Sequence, residues 1–150
     1  MKACVLIPAR MQSSRLPGKV LSHIAGRPMI QHVYARAVMA RCEPDVFVAT
    51  GDDEVADAVT HFGGHVIRTY GEHRSGTDRI AEAAASLEHD VIINVQADEP
   101  MLRSEEIDRL VNAFENPAVT MTSIYRRQHS AGELDDPNRV KVLVDEDGYA

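Results

Sequence analysis

No apolar run in this 150-residue sequence approaches the roughly 20 residues that a membrane span needs, so the sequence predicts no membrane insertion. Cysteine is scarce: Cys4 and Cys42 lie far apart, with no CxxC pair and no histidine cluster beside them. This spacing argues against a disulfide framework or a zinc site and predicts two reduced thiols. Arg10 and Arg15 follow the first apolar run, where a secretory signal would need small residues. The sequence therefore predicts a cytoplasmic protein.

Acidic residues are absent from the first 42 positions, which carry seven Lys or Arg. The remaining positions carry nine bases and 23 acids, and the formal net charge is −7. Net negative charge disfavours a nucleic-acid partner, since sequence-independent binding depends on Lys and Arg neutralising phosphates. A basic patch on an acidic body suits a small polyanion, and the alternative is a set of bases that are only solvated.

Hydrophobic periodicity predicts a single α/β domain over residues 1–150, a length that suits one core. Short apolar runs predict strands over 2–8, 45–50, 65–68, 90–95, 119–125 and 140–144. Helical spacing predicts helices over 28–41, from Asp52 to Gly63, from Ser75 or Thr77 to Leu87, and from Ser104, with Asp52 and Ser104 as N-caps. Regular alternation of the two predicts a mostly parallel sheet with helices on both faces. Ligands of such sheets bind outside the carboxyl ends of the strands, here segments 8–19, 50–53, 69–77 and 96–103.

The segment 9–19 follows the first predicted strand and is strongly basic. Arg10 and Arg15 can each fork two hydrogen bonds onto phosphate oxygens, and Lys19 adds a compact charge, so the set matches a triphosphate. It is not a Walker A loop, because the first glycine and the final hydroxyl of that motif are missing, and no GxGxxG occurs. The alternative is a solvated surface loop, with no acid near it in sequence.

The segment 94–100 leaves the fourth predicted strand with two adjacent carboxylates, Asp98 and Glu99. Mg²⁺ prefers carboxylate and phosphate oxygens, so one Asp at a strand end, completed by nucleotide phosphates, can hold it. The alternative is that these acids cap a helix or are solvated. A basic loop and a metal carboxylate at neighbouring strand ends are what phosphoryl or nucleotidyl transfer requires.

The segment 73–79 joins the third predicted strand to the third helix. Ser75 or Thr77 is suited to cap that helix, which by itself would explain both residues. Gly76 permits close approach of the backbone to a ligand, and Arg74 is long enough to reach one.

Six segments of the chain resemble, in chain order, those of the CMP-KDO synthetases, also called 3-deoxy-manno-octulosonate (KDO) cytidylyltransferases. They are 7–10, 14–19, 26–30, 73–79, 94–100 and 136–142. The basic loop is shared with other sugar nucleotidyltransferases, whereas the SGTDR and NVQxDEP segments point to this family. The resemblance implies a Rossmann-like nucleotidyltransferase fold and the Mg²⁺-dependent reaction of CTP with KDO, which gives CMP-KDO and pyrophosphate for lipopolysaccharide synthesis.

The resemblance also implies roles for individual residues. Those that would hold the triphosphate are Arg10, Arg15 and Lys19. Those that would meet the cytidine are Pro8, Ala9, Arg74, Ser75 and Gly76. Gln96 would face the reaction centre and the sugar, Lys141 would lie near the sugar carboxylate, and Asp98 would bind Mg²⁺. Arg10, Lys19 and Asp98 form the implied catalytic set, and no general base is evident.

Two departures from the family pattern qualify this expectation. Ala97 stands where the family usually has Gly, and a positive φ there would strain an alanine. Family members also continue well past this length, and their further part supplies a second metal Asp, much of the sugar pocket and the contacts of a homo-oligomer. The alternatives are therefore another sugar nucleotidyltransferase or a truncated, non-catalytic nucleotide-binding module.

Overall fold

The structure is a computed structural model that describes residues 1–12, 16–127, 132, 135–146 and 148–150. The chain divides into two compact units, Met1–Thr120 and Met121–Ala150. The first unit holds the strands and helices that follow. The expectation of one nucleotidyltransferase domain over 1–150 stays a prediction.

The strands and α-helices of the described residues lie in the first unit, and from β3 onwards they alternate. In chain order they are β1 (Ala3–Pro8), β2 (His23–Ile24), β3 (Arg27–Pro28), α1 (Met29–Val38), β4 (Asp45–Thr50), α2 (Asp53–His61), β5 (His65–Arg68), α3 (Gly76–Ala84), β6 (Val91–Asn94) and α4 (Ser104–Ala113). A 3₁₀ turn spans Lys19–Leu21. Every one of these helices is too short to cross a membrane.

A parallel sheet forms the centre of this unit, in the strand order β5-β4-β1-β6. β1 lies between two neighbours, with Val5 opposite Val46 on one side and Ile93 on the other. Its first five residues are buried, and therefore the strand is a continuous hydrophobic segment rather than an alternating one. The predicted α/β fold with a parallel sheet is confirmed.

Helices cover both faces of the sheet, as predicted. Alternate residues of β1 face opposite sides: Leu6 packs with Ile80 of α3, whereas Ile7 belongs to the larger core that includes Ile30 of α1, Val55 of α2 and Ile107 of α4. The chain runs from β1 to β4 to β5, then crosses through α3 to β6 on the other side of β1. A crevice therefore opens between the carboxyl ends of β1 and β6, where doubly wound sheets bind ligands.

A small hairpin, β2 with β3, was not predicted from the sequence. Its two-residue turn places Ala25 at φ 49° and Gly26 at φ 81°. A type I′ turn needs positive φ at both positions and usually shows Asn-Gly or Gly-Gly. Ala25 is not one of these residues, so the sequence lacked the dipeptide that would have predicted the hairpin.

The two strands predicted over 119–125 and 140–144 are wrong, since no strand forms in either segment, both of which the structure describes. Met121, Val140 and Leu143 are highly exposed. β-propensity expresses packing on a pleated, half-buried surface, and apolar side chains without a paired neighbour do not realise it.

Of the three helix N-caps predicted from the sequence, two are right and one is wrong. Asp52 is the N-cap of α2, although its carboxylate does not cap the helix and accepts a hydrogen bond from another segment instead. Ser75 caps α3. Ser104 is the first residue of α4 rather than its cap, because Arg103 takes the N-cap position and pairs with Glu106 at 3.0 Å.

Both cysteines are free thiols, as predicted. Burial raises the pKa of the Cys4 thiol to about 12. The Cys4 side chain packs with Leu6 and Ala49 under α3. Cys4 is therefore an unreactive core residue.

Candidate functional site

A pocket of about 140 Å³ opens at the carboxyl edge of the sheet, between the ends of β1 and β6. Its lining residues are Pro8, Ala9, Arg10, His73, Ser75, Gly76, Arg79 and Gln96. Six of these residues were expected from the sequence to bind the nucleotide or the sugar: Pro8, Ala9, Arg10, Ser75, Gly76 and Gln96. The structure thus brings three separate sequence segments to one cavity.

Hydrogen bonds from backbone N–H groups anchor the basic loop near its beginning and its end. Ala9 is buried and its N–H donates to Ala49 O at 2.9 Å, which extends the ladder past β1. The Met11 N–H donates to Asp52 Oδ2 at 2.8 Å and the Gly18 N–H to Met11 O at 2.8 Å. Gly18 has φ +69°, a conformation that favours glycine. Arg10 therefore leaves a fixed backbone, while Arg15 lies outside the described residues.

Lys19 and Asp98 form an ion pair, with Nζ 2.8 Å from Oδ2. Each follows a strand of the neighbouring β1–β6 pair and sits beside a buried residue, Val20 in one case and Ala97 in the other. Both side chains are open to solvent, 37% and 50% exposed. The basic loop has no acid near it in sequence, but folding supplies one.

The acids at this edge provide few ligands for a metal. Among the residues that the structure describes, no three His, Cys, Asp or Glu side chains cluster as a metal site. Burial raises the pKa of Glu99, and the nearby Asp98 and Glu106 raise it further. A single ready carboxylate, that of Asp98, fits a Mg²⁺ ion that takes its other ligands from phosphates and water.

Ala97 does not adopt a positive φ, and its side chain is buried in the main core. Glycine is therefore not required at this position of the chain. The strain expected for an alanine here does not arise.

The start of α3 forms the wall opposite β1. The Ser75 Oγ accepts a hydrogen bond from the Asp78 N–H at 3.1 Å, and Asp78 Oδ2 accepts one from the Ser75 N–H at 2.9 Å. This capping box fixes the helix entry. A Cβ on Gly76 would lie 3.1 Å from Pro8 Cγ and 3.7 Å from Gln96 Oε1, so glycine allows the helix to approach β1 closely.

His73 lines the pocket and was not singled out in the sequence. Its side chain is 6% exposed, and its Nε2 lies 2.6 Å from Glu82 Oε2. Glu82 also accepts hydrogen bonds from the backbone N–H groups of Tyr70, at 2.7 Å, and Gly71, at 3.2 Å. The Tyr70 bond is the largest of the contacts that lower the pKa of Glu82, and His73 adds to it. One carboxylate therefore ties the loop after β5 to α3.

Arg79 is the second pocket residue that was missed. Its Nη1 donates to Thr69 Oγ1. Burial lowers the pKa of Arg79, Arg10 lowers it further, and the carboxylates of Asp52 and Glu82 act in the opposite sense. Two guanidiniums thus face one pocket, which favours an anionic ligand.

The profile of the family described as Cytidylyltransferase matches residues 4–150. This chain belongs to the cytidylyltransferase family. It is 46% identical to the 3-deoxy-manno-octulosonate cytidylyltransferase of Geobacter sulfurreducens, over 100% of this chain and 60% of the relative. It is 47% identical to the protein of that name from Hahella chejuensis, over 97% of this chain and 58% of the relative. The chain thus spans about 60% of the length of these curated relatives.

Solved structures of the cytidylyltransferase family share this fold. The structure of CMP:2-keto-3-deoxy-manno-octonic acid synthetase complexed with CTP superposes with a TM-score of 0.77 at 48% identity, over 79% of this chain and 50% of that chain. A cytidylyltransferase from Leptospira borgpetersenii gives a TM-score of 0.69 at 28% identity, over 79% of this chain and 51% of that chain. The predicted Rossmann-like nucleotidyltransferase fold is confirmed.

Four described residues that were expected to bind a ligand do not line the pocket of this cytidylyltransferase chain: Lys19, Asp98, Arg74 and Lys141. Lys19 and Asp98 form the ion pair described above, whereas the other two lie elsewhere. Arg74 is exposed. Lys141 lies in the unit Met121–Ala150, where its ammonium donates to the backbone carbonyl of Asp136. The roles expected for both stay predictions.

The sequence contained a positional signal for Arg79 but none for His73. His73 and Arg79 are the ends of the segment 73–79 in which Ser75 and Gly76 were chosen. Arg79 follows the cap by four residues, so it lies one turn further along the same side of α3. His73 gave no such signal, because its partner Glu82 is nine residues away.

Proposed function

We propose that this chain binds CTP at the pocket between β1 and β6 and transfers CMP to KDO in a Mg²⁺-dependent reaction. The products are CMP-KDO, a precursor for lipopolysaccharide, and pyrophosphate. The observation that carries the proposal is the convergence of Arg10, Ser75 and Gln96 on one pocket beside the Lys19–Asp98 pair. The names of the relatives and the CTP complex of the similar structure support the choice of nucleotide and sugar.

The pocket suits the nucleoside end of the nucleotide. Its walls combine the apolar surface of Pro8 with polar groups at the start of α3, which is the usual composition of a small-molecule site. Arg10 lies in the pocket and belongs to the same basic loop as Lys19, so the phosphates would extend along that loop. Arg15 is proposed to join them.

Asp98 is the residue that would hold Mg²⁺. When bound, the ion would neutralise charge on the phosphates as pyrophosphate leaves. The sugar hydroxyl would attack the α-phosphorus, and Arg10 and Lys19 would stabilise the negative charge that develops on the phosphate oxygens. Gln96 lies on the pocket wall towards β6, where it can orient the sugar.

Titration calorimetry with CTP, UTP and GTP, each with and without Mg²⁺, tests the binding step. We expect CTP to bind most tightly and Mg²⁺ to strengthen its binding. Equal affinity for all three nucleotides would contradict cytidine recognition. Absence of binding by the folded chain would contradict the assignment of the pocket.

Pyrophosphate release tests the transfer step. With Mg²⁺, CTP and KDO present, release that depends on KDO would support the proposed reaction. Release that proceeds equally with another acidic sugar would favour a different sugar nucleotidyltransferase. Binding of CTP without release would favour the non-catalytic module.

A further inference from the structure

His73 combines a buried side chain with an unsatisfied polar atom at the pocket. Its Nδ1 is buried and has no hydrogen-bond partner among the described residues. A buried polar atom that has lost its water without gaining a partner is costly, so such atoms are rare in folded proteins. The side chain lines the cavity proposed to hold the nucleoside, where a ligand can supply the partner.

The contact with Glu82 determines which hydrogen-bonding role is left to Nδ1. Glu82 accepts hydrogen bonds from two backbone N–H groups, so it acts as a carboxylate with acceptor capacity only. His73 Nε2, at 2.6 Å from Glu82 Oε2, must then carry the proton. In the neutral imidazole the other nitrogen, Nδ1, is an acceptor.

His89 shows the same pairing without a pocket. Its side chain is 3% exposed, its Nε2 lies 2.8 Å from Asp45 Oδ2, and its Nδ1 also has no partner among the described residues. Asp45 begins β4, so His89 lies at the amino edge of the sheet, away from the cavity. Pairing with a carboxylate is common to both histidines, and the cavity distinguishes His73.

We propose that His73 Nδ1 accepts a hydrogen bond from an N–H or O–H group of the nucleoside bound in the pocket. The inference rests on the proposed function and adds a specificity-determining residue to it. A cytidine nucleotide offers two sources of such a donor, the 4-amino group of the base and the hydroxyls of the ribose. Either donor would satisfy the buried acceptor.

Two variants separate this role from the contact with Glu82. His73→Gln places an amide nitrogen near the position of Nε2, so it retains the Glu82 contact and loses the acceptor at Nδ1. His73→Asn places a polar atom near Nδ1 and loses Glu82. We expect His73→Gln to keep the melting temperature close to that of the wild type and to bind CTP roughly 2–10-fold more weakly, the usual effect of one hydrogen bond.

Nucleotide analogues identify the donor. If it is the base amine, His73→Gln reduces the preference for CTP over UTP; if it is a ribose hydroxyl, the variant reduces the preference for CTP over 2′-deoxy- or 3′-deoxy-CTP. His73→Asn should retain that preference despite a lower melting temperature, and it serves as the test if His73→Gln does not fold. His89→Gln is the matched control and should leave every preference unchanged.

The outcomes distinguish this inference from the function on which it rests. Unchanged preferences in a His73→Gln variant that binds CTP would overturn the role of His73 and leave the proposed function standing. Loss of the preference in His73→Asn would also overturn it. Absence of CTP binding by the wild type would overturn the proposed function and this inference together.

Discussion

The two halves of the candidate site satisfy their polar groups in opposite ways. On the pocket side, Ser75 and Glu82 hold the start of α3 and the preceding loop through hydrogen bonds to backbone N–H groups, and an acceptor on His73 is left open. On the phosphate side, Lys19 and Asp98 neutralise each other and are half exposed. The pocket is already shaped by these hydrogen bonds, whereas a ligand that binds Lys19 or Asp98 competes with an exposed ion pair.

Substitutions on the two sides should therefore differ in their effects on the free energy of unfolding and on ligand binding. A residue that shapes the pocket contributes to the free energy of unfolding and to binding, because the ligand uses a geometry that the fold maintains. An exposed ion pair contributes little to stability, so its members should affect ligand binding almost alone. Four substitutions test the contrast.

Lys19→Ala should produce the largest change in CTP affinity. The variant loses a charged hydrogen bond to a phosphate, worth about 1.5–3 kcal/mol or roughly 10–150-fold. It also leaves the Asp98 carboxylate unpaired, and that charge repels a triphosphate. Calorimetric titration with CTP in the absence of Mg²⁺ measures the loss, and urea unfolding should show little change.

Lys2→Ala is the matched control for Lys19→Ala. Lys2 also pairs with an aspartate, Asp45, at 3.4 Å, but it precedes β1 and lies at the amino edge of the sheet. We expect its loss to leave CTP affinity unchanged. Equal losses in the two variants would mean that the basic loop acts through overall charge rather than through a site.

Asp98→Asn should have a smaller effect on affinity, with opposite signs with and without Mg²⁺. Without the ion, the amide no longer competes for Lys19 or repels phosphate, so CTP should bind more tightly by a few fold. With the ion, the enhancement by Mg²⁺ should disappear. An equal Mg²⁺ enhancement in the variant and the wild type would exclude Asp98 as the metal ligand.

The sequence predicted the parts of this site that depend on local pattern. The apolar runs located β1, β4, β5 and β6, and the chemistry of 9–19 and 94–100 placed Lys19 and Asp98 at neighbouring strand ends. His73 was missed because its significance depends on Glu82 and the pocket, which exist only after the loop folds against α3. The strands expected over 119–125 and 140–144 failed because a strand needs a neighbour as well as propensity.

Ser75→Ala should lower the free energy of unfolding by about 1 kcal/mol, the usual cost of removing an N-cap side chain. Ser104→Ala is its control, because Ser104 is the first residue of α4 and caps nothing, and we expect a change within about 0.5 kcal/mol. Urea unfolding measures both. Since Ser75 also lines the pocket, its variant should weaken CTP binding, whereas Ser104→Ala should not. Equal stability of the two variants would show that the capping box does not hold the helix start.

Glu82→Gln tests the pocket side through pH and should give the smallest effect. The backbone N–H of Tyr70 and then His73 and Gly71 lower the pKa of Glu82 from its ordinary value of 4.5, so the folded chain releases the proton more readily than the unfolded chain. A carboxylate with a depressed folded pKa contributes stability above its unfolded pKa and loses that contribution as the pH falls through the folded value. The contribution of the Glu82 carboxylate to the difference in unfolding free energy between the wild type and Glu82→Gln should therefore shrink as the pH falls below about 5. Urea unfolding at a series of pH values measures it.

A difference that does not change down to pH 3 would show that the ionised form of Glu82 does not hold the loop after β5. The shape of the pocket would then depend on Ser75 and on the packing of Gly76 against Pro8.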